Sequence, residues 1–202
     1  MRIVCIGDSM TFGYKIPRAK TWIALVQQQL GVELINCGVT GDTSGGMLAR
    51  FERALLENRP DAVFIMGGVN DLINGAWIGT VQSNLAAMAH QAMARQIVPI
   101  LTVPAPLRSQ NIRSDWCLLA DFVEVDRQMV VLREWLLLFG QIFHVDIIDL
   151  YRFFQSYGEA DDLYQADGIH LTQAGHRLAA GFLSRELAVL PWIQKGKCLS
   201  PI

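Results

Sequence analysis

The sequence is poor in charged residues and has no long hydrophobic run. Charged side chains make up 18% of its 202 residues, and 17 basic against 19 acidic residues give a net charge of −2. Nucleic-acid-binding proteins carry a clustered positive excess, so we predict no nucleic-acid partner. A membrane-spanning helix needs about 18 or more consecutive apolar residues. The most apolar stretches, residues 97–103 and 130–139, are much shorter, and we predict no membrane insertion.

Cysteine is scarce and scattered. Cys5, Cys37, Cys117 and Cys198 form no CxxC pair, which is typical of free thiols in a reducing compartment. Residues 1–6 begin a strand-like run at once, whereas a secretory signal has a longer apolar region and a small-residue cleavage site. From these two features we predict a cytoplasmic location.

Metal and nucleotide motifs are also missing. No cluster of His, Cys, Asp and Glu residues has metal-ligand spacing, and neither GxxxxGK[ST] nor a well-placed GxGxxG occurs. We predict no metal and no cofactor. With 51% hydrophobic residues, a chain of this length can bury a core without a disulfide or metal to stabilise it.

Short apolar runs alternate with helical patterns along the whole chain. Strands are predicted over residues 2–6, 32–37, 61–66, 97–103 and 143–150. Helices are predicted over residues 22–30, 47–55 and 117–139. Two more helices are predicted to begin at an N-cap at Thr80 and near Thr172. Apolar strands that alternate with helices form a parallel sheet covered on both faces. The sequence therefore predicts one three-layer α/β/α domain over residues 1–202 with five parallel strands, the last ten or so residues forming a tail.

Four polar segments, three of them glycine-rich, follow predicted strands, and the last of the four lies in the loop before the last helix. They are Gly-Asp-Ser-Met-Thr-Phe-Gly at 7–13, Asn-Cys-Gly-Val-Thr-Gly-Asp-Thr-Ser at 36–44, Gly-Gly-Val-Asn-Asp at 67–71 and Asp-Gly-Ile-His at 167–170. Ligands of such sheets bind at the carboxyl ends of the strands, so we expect chemistry at this edge. A serine, an aspartate and a histidine there could form a hydrolytic triad, with glycine and asparagine as hydrogen-bond donors. Taken one at a time, Ser9 could equally cap a turn, and Gly41 and Asn70 could be turn residues.

The four segments, in this order and spacing, resemble the GDSL or SGNH hydrolase family over essentially the whole chain. One position departs from its pattern, since Met10 stands where the first motif has leucine. The resemblance implies a flavodoxin-like sandwich, with Ser9 as nucleophile, His170 as its base and Asp167 orienting the imidazole. It also implies an oxyanion hole formed by the Ser9 backbone amide, the Gly41 amide and the Asn70 side chain.

The function expected from this resemblance is hydrolysis of an ester or thioester through an acyl-enzyme, on a small or short-chain acyl substrate. A carbohydrate O-deacetylase and a lysophospholipase are alternatives that use the same triad, since a fold does not select its substrate. A non-catalytic nucleotide- or ester-binding α/β module is an alternative of another class, suggested by the glycine-rich loops.

Other residues near the carboxyl edge of the predicted sheet are expected to stabilise loops or to line the substrate pocket. We expect Asp8, Asp42 and Asp71 to brace loops, and the other histidines to be structural, with His176 near the surface of the last helix. Substrate-pocket walls are predicted from the loops that follow the strands, with Phe12, Val69, Trp77, Leu107, Trp116 and Tyr164 as candidates.

Overall fold

A computed structural model describes residues 1–108, 111–112, 114–158 and 161–197. In this part of the chain, five parallel strands form one sheet in the order β2-β1-β3-β4-β5. The strands are β1 (Arg2–Gly7), β2 (Glu33–Gly38), β3 (Ala62–Met66), β4 (Val98–Val103) and β5 (Asp146–Asp149). The predicted five-stranded parallel sheet is therefore confirmed, and its strand order is that of flavodoxin-like folds.

Helices cover both faces of the sheet. They are α1 (Ser9–Phe12), α2 (Trp22–Leu30), α3 (Ser44–Asn58), α4 (Val69–Ile73), α5 (Ile78–Ala94), α6 (Phe122–Phe143), α7 (Leu150–Gln155), α8 (Gln173–Ala188) and α9 (Pro191–Lys197). Short 3₁₀ turns lie at Arg18–Lys20, Trp116–Leu118 and Asp161–Leu163. No helix among the described residues is both long and apolar enough to cross a membrane.

The core consists of two apolar layers, one on each face of the sheet. Alternate strand residues point to opposite faces, so Val4 and Ile6 pack with α3, α5 and α6, while Ile3 and Cys5 pack with α2 and α8. Strands buried on both faces must be apolar throughout, which explains the continuous apolar runs in the sequence.

The candidate site lies where the strand order reverses. β1 pairs with β2 on one side and β3 on the other, and Gly7 is level with both Gly38 and Met66. Because all three strands are parallel, the segments that follow them meet at one edge of the sheet. A Cβ at position 38 would lie 2.2 Å from the Phe12 amide nitrogen, so glycine there permits the close approach of β2 and α1.

Several predicted element bounds were wrong. α5 begins at Ile78 with Trp77 as its N-cap residue, so Thr80 lies inside the first turn. The helix predicted over 117–139 starts at Phe122, because the Asp121 carboxylate caps it by accepting from the Val123 and Glu124 amides. The strand predicted over 143–150 is only Asp146–Asp149.

Short helices at strand ends explain part of these differences. α1, α4 and α7 each follow a strand directly or after a loop of at most two residues, and none was predicted. The Asp149 carboxylate ends β5 by capping α7, accepting from the Arg152 amide. The predicted tail begins as α9, in which Ile193 is fully buried, and residues 198–202 lie outside the described part of the chain.

Candidate active site

Ser9, His170 and Asp167 form a hydrogen-bonded chain. The Ser9 Oγ lies 2.9 Å from His170 Nε2, and His170 Nδ1 lies 2.9 Å from an Asp167 carboxylate oxygen. All three residues are buried. Ser9 begins α1 and is separated from the end of β1 by one residue, while the other two lie in the loop before α8. The structure thus brings together the three residues that the sequence predicted as a triad.

The surroundings of Asp167 determine which imidazole nitrogen carries the proton. Burial raises the pKa of Asp167, but hydrogen bonds from the His170 amide, the His170 ring and the Ile169 amide outweigh it and leave the pKa below its ordinary value. At neutral pH an ionised carboxylate only accepts hydrogen bonds. His170 Nδ1–H therefore donates to Asp167, and Nε2 is free to accept from the Ser9 hydroxyl.

The loop that carries Asp167 and His170 is held from two sides. The Gln165 amide donates to the His170 carbonyl at 2.7 Å, and its side chain donates to the carbonyls of Tyr14 and Leu171. Gly168 has a φ of +72°, and a Cβ there would lie 2.7 Å from the Arg108 carbonyl oxygen. Glycine at 168 thus permits both the tight turn and the contact with residue 108.

The residues predicted to form an oxyanion hole lie beside Ser9. Gly41, Asn70, Ser9 and His170 line the same cavity. Gly41 has a φ of +79° in the loop after β2, and Asn70 lies in the first turn of α4 after β3. The Asn70 side-chain nitrogen donates to the Asp42 carbonyl at 2.8 Å, which orients its amide group and leaves one N–H available.

The cavity that opens at Ser9 has a volume of about 330 Å³ and mostly apolar walls. Tyr14 contributes one wall, with its ring centroid 4.5 Å from that of His170. Further walls among the described residues are Thr40, Ile73, Trp116, Leu119, Phe122 and Ile169. The cavity is at the small end of the roughly 300–1,000 Å³ typical of ligand pockets.

Five of the predicted pocket walls are not among the described residues that line this cavity. Val69 and Leu107 belong to the core layer formed with α3, α5 and α6. Phe12 lies under the Arg18 guanidinium, and the Tyr164 hydroxyl donates to the Pro106 carbonyl beneath Arg108. Trp77 is 76% exposed. Their role as substrate-pocket walls stays a prediction, whereas Trp116 lines the cavity at Ser9.

Most of the observed cavity walls were not predicted from the sequence. Leu119 and Phe122 fall in a stretch that we predicted to be helical. Ile73 is the last residue of α4, and Ile169 lies between Gly168 and His170 in the loop before α8. The one available signal was the position of Tyr14 and Ile73 in the segments that follow β1 and β3. That signal does not distinguish them from Phe12 and Val69 nearby.

The three acidic residues near the site brace loops, as predicted. The buried Asp8 carboxylate caps α1 by accepting from the Met10 amide. Asp71 accepts from both the amide and the hydroxyl of Ser44, at 2.8 and 2.6 Å. Burial raises the pKa of Asp8 to about 7, with a further contribution from the negative charges of Asp42 and Asp71.

The other histidines and the described cysteines lie outside the triad. His176 was predicted near the surface but is fully buried, because its Nδ1 accepts from the Trp22 amide at the start of α2. Burial lowers the pKa of His176 to about 4. Cys37 is half-buried, and Cys5, Cys37 and Cys117 are free thiols, as their scattered positions predicted. Among the described residues, no group of three or more His, Cys, Asp or Glu side chains is arranged to hold a metal ion.

Comparison with known proteins agrees with the geometry. The model of the GDSL-like lipase/acylhydrolase family matches residues 5–178. The chain belongs to this family. A solved relative, the lipase/acylhydrolase from Enterococcus faecalis, is 28% identical with a TM-score of 0.75, over 93% of this chain and 95% of that one.

Two curated relatives are similar in sequence to part of this chain. Esterase TesA of Pseudomonas aeruginosa is 36% identical over 97 residues, which cover 46% of this chain and 48% of that protein. An arylesterase of Vibrio mimicus is 36% identical over 92 residues, or 43% of this chain and 46% of that protein. The chain thus spans about half the length of the curated relatives it matches.

Proposed function

We propose that this GDSL family member is a serine acyl hydrolase that cleaves esters through an acyl-enzyme. The observation that carries the proposal is the Ser9–His170–Asp167 chain, with two 2.9 Å hydrogen bonds, at the mouth of an apolar cavity. The names of the two curated relatives, an esterase and an arylesterase, support the same reaction class.

The reaction has two halves. Ser9 Oγ attacks the acyl carbon while His170 Nε2 takes the hydroxyl proton, and the bond to the alcohol oxygen breaks as the imidazolium returns that proton to the leaving alcohol. A water molecule then attacks the acyl-enzyme, giving its proton to His170. The carboxylic acid leaves, and the proton returns to Ser9. Asp167 stabilises the imidazolium in both halves.

Negative charge develops on the carbonyl oxygen in each half. We propose that the Ser9 backbone amide, the Gly41 amide and the free N–H of Asn70 bind this oxygen. Losing one such donor costs about 3–4 kcal/mol of transition-state stabilisation. The hydrogen bond from Asn70 to the Asp42 carbonyl supports this role, because it holds the amide in one orientation before substrate binds.

The substrate that the cavity fits best carries a small or short acyl chain. Its volume of about 330 Å³ and its walls of Ile73, Phe122 and Ile169 suit an apolar group better than a sugar. Thioesters fit the same mechanism because the acyl carbon and the oxyanion are unchanged. A lysophospholipase and a carbohydrate O-deacetylase remain alternatives, and the cytoplasmic location stays a prediction.

A fluorophosphonate probe tests the proposal, since only an activated serine reacts with it. We expect stoichiometric labelling of the wild type at Ser9 and none of Ser9→Ala. Turnover of p-nitrophenyl esters should fall as the acyl chain lengthens, and acetylated sugars and lysophospholipids should be poorer substrates. An unlabelled Ser9 in folded protein would contradict acyl-enzyme chemistry and favour a non-catalytic binding module.

A further inference from the structure

Arg50 on α3 connects the loops that carry the proposed oxyanion donors. Its guanidinium donates to the Gly7 carbonyl at 3.0 Å, to the Cys37 carbonyl at 2.7 Å and to the Asp42 carboxylate at 2.8 Å. Gly7 ends β1 two residues before Ser9, and Asp42 directly follows Gly41. The Arg50 guanidinium thus binds both the segment that leads to Ser9 and the loop that carries Gly41.

Asp42 extends this connection to the third donor. Its carboxylate binds Arg50, while its backbone carbonyl accepts from the Asn70 side chain at 2.8 Å. Both charged side chains of the pair are largely covered, with 27% of Arg50 and 11% of Asp42 exposed. Gly41 directly precedes Asp42, and Asn70 is hydrogen-bonded to Asp42. Ser9 is connected less directly, because it lies two residues after Gly7, whose carbonyl accepts from Arg50.

The start of α3 leaves space for the Asp42 carboxylate. A Cβ at Gly46 would lie 1.9 Å from Asp42 Oδ1. At the neighbouring Gly45, the nearest atom to such a Cβ is 3.7 Å away, which is ordinary contact. Position 46 thus excludes any side chain while the carboxylate is in place, although position 45 does not.

We propose that Arg50 and Asp42, with Gly46 leaving room for the carboxylate, are positioning residues for the oxyanion hole. The inference rests on the ester-hydrolase function proposed above. Oxyanion donors act through preorganisation, so a shift of less than 1 Å weakens binding of the transition state more than binding of the substrate. A guanidinium can bind three acceptors in fixed directions, whereas a lysine ammonium cannot reproduce that planar geometry.

The experiment compares Arg50→Ala, Arg50→Lys and Gly46→Ala with two matched controls from the same helix. Gly45→Ala adds the same methyl group where there is space, and Arg53→Ala removes the exposed ion pair with Glu57. We expect kcat on a short-chain ester to fall about 10- to 100-fold in the three test variants with little change in KM. Both controls should stay within about two-fold of wild type.

Two further measurements separate positioning from lost stability. Added guanidinium should restore part of the kcat of Arg50→Ala, because the site is partly open to solvent, whereas equal ammonium should not. Across the variants, the inhibition constant of a trifluoromethyl ketone, which mimics the tetrahedral oxyanion, should rise in proportion to the loss of kcat/KM.

Two results would contradict the positioning role of Arg50 and Gly46. If Gly46→Ala matches Gly45→Ala, or if Arg50→Ala lowers the melting temperature while kcat stays near wild type, the positioning role is wrong. These results would leave the proposed function intact as long as the wild type is labelled at Ser9. Absence of labelling in the wild type would instead overturn the proposed function, so the two failures are distinguishable.

Discussion

The imidazole of His170 lies 2.9 Å from the Ser9 hydroxyl although 161 positions separate the two residues in the chain. The contact forms because β1 delivers Ser9 to the carboxyl edge of the sheet, and the loop before α8 returns over the same edge. Asp167 holds the ring from its other side. The three side chains therefore form one hydrogen-bonded unit.

The triad variants should not have additive effects. Ser9→Ala should lower kcat by about 10⁴-fold or more, and His170→Ala should be similarly severe, because each removes a member of one proton-transfer unit. Adding Asp167→Ala to either of these variants should lower kcat much less than Asp167→Ala lowers it in the wild type. Steady-state kinetics of the single and double variants checks this. If the fold-reductions in kcat of the single variants multiply in the double variants, the residues do not share a mechanism.

Asn70→Ala tests the oxyanion role. We expect kcat to fall roughly 100- to 1,000-fold with little change in KM, because the amide binds the substrate oxygen most strongly when it becomes negative. Asn84→Ala is the matched control, since the Asn84 amide donates to the Ser44 hydroxyl outside the cavity. It should lower the melting temperature and leave kcat near wild type. If Asn70→Ala behaves like this control, Asn70 is a scaffold residue.

Chain-length preference should respond to the cavity walls. Ile73→Phe places a larger side chain in the cavity, so we expect hydrolysis of p-nitrophenyl hexanoate to fall about 10-fold relative to the acetate. Trp77→Ala is the control because Trp77 is exposed and is not among the described lining residues. A shifted profile in Trp77→Ala, with an unchanged profile in Ile73→Phe, would mean that the acyl chain binds elsewhere.

Asp8 should make stability fall as pH rises. Burial raises its pKa to about 7 from an ordinary 3.8. Between these values the folded chain keeps a proton that the unfolded chain has lost, so raising the pH favours unfolding until about pH 7. Asp8→Asn keeps the cap acceptor and removes the titration. The free energy of unfolding of wild type minus that of the variant should decrease from pH 4 to pH 8, by about 4 kcal/mol at most. A constant difference would contradict this.

His176 should produce the opposite slope. Its pKa is lowered to about 4 from an ordinary 6.5, so the unfolded chain takes up a proton at a higher pH than the folded chain. Stability from this group is therefore present above pH 6.5 and is lost as the pH falls toward 4. His176→Asn retains an acceptor for the Trp22 amide and should remove this loss. Denaturant unfolding at several pH values measures the free energy of unfolding of both proteins. If it falls equally between pH 6.5 and pH 4 in the wild type and in His176→Asn, the assignment is wrong.

Most of the fold could be predicted because its signals are local. Apolar runs that end in glycine mark β1, β2 and β3, and Thr172 caps α8 as expected, accepting from the Gly175 amide. The errors fall where a polar side chain decides the boundary. Asp121 and Asp149 both start helices, and either residue could equally have belonged to a loop.

The sequence by itself determined the parallel sheet and the placement of Ser9, Gly41 and Asn70 just after β1, β2 and β3, because strand patterns and the short motifs that follow them depend only on residues near each other in the chain. Tertiary structure alone decided which apolar side chains line the cavity and which arginine reaches the loops beside Ser9. Those properties depend on distances between segments far apart in the chain. Tyr14 meets His170 and Arg50 meets Gly7 only after the helices pack onto the sheet, and no local pattern distinguishes them from Phe12 or Arg53.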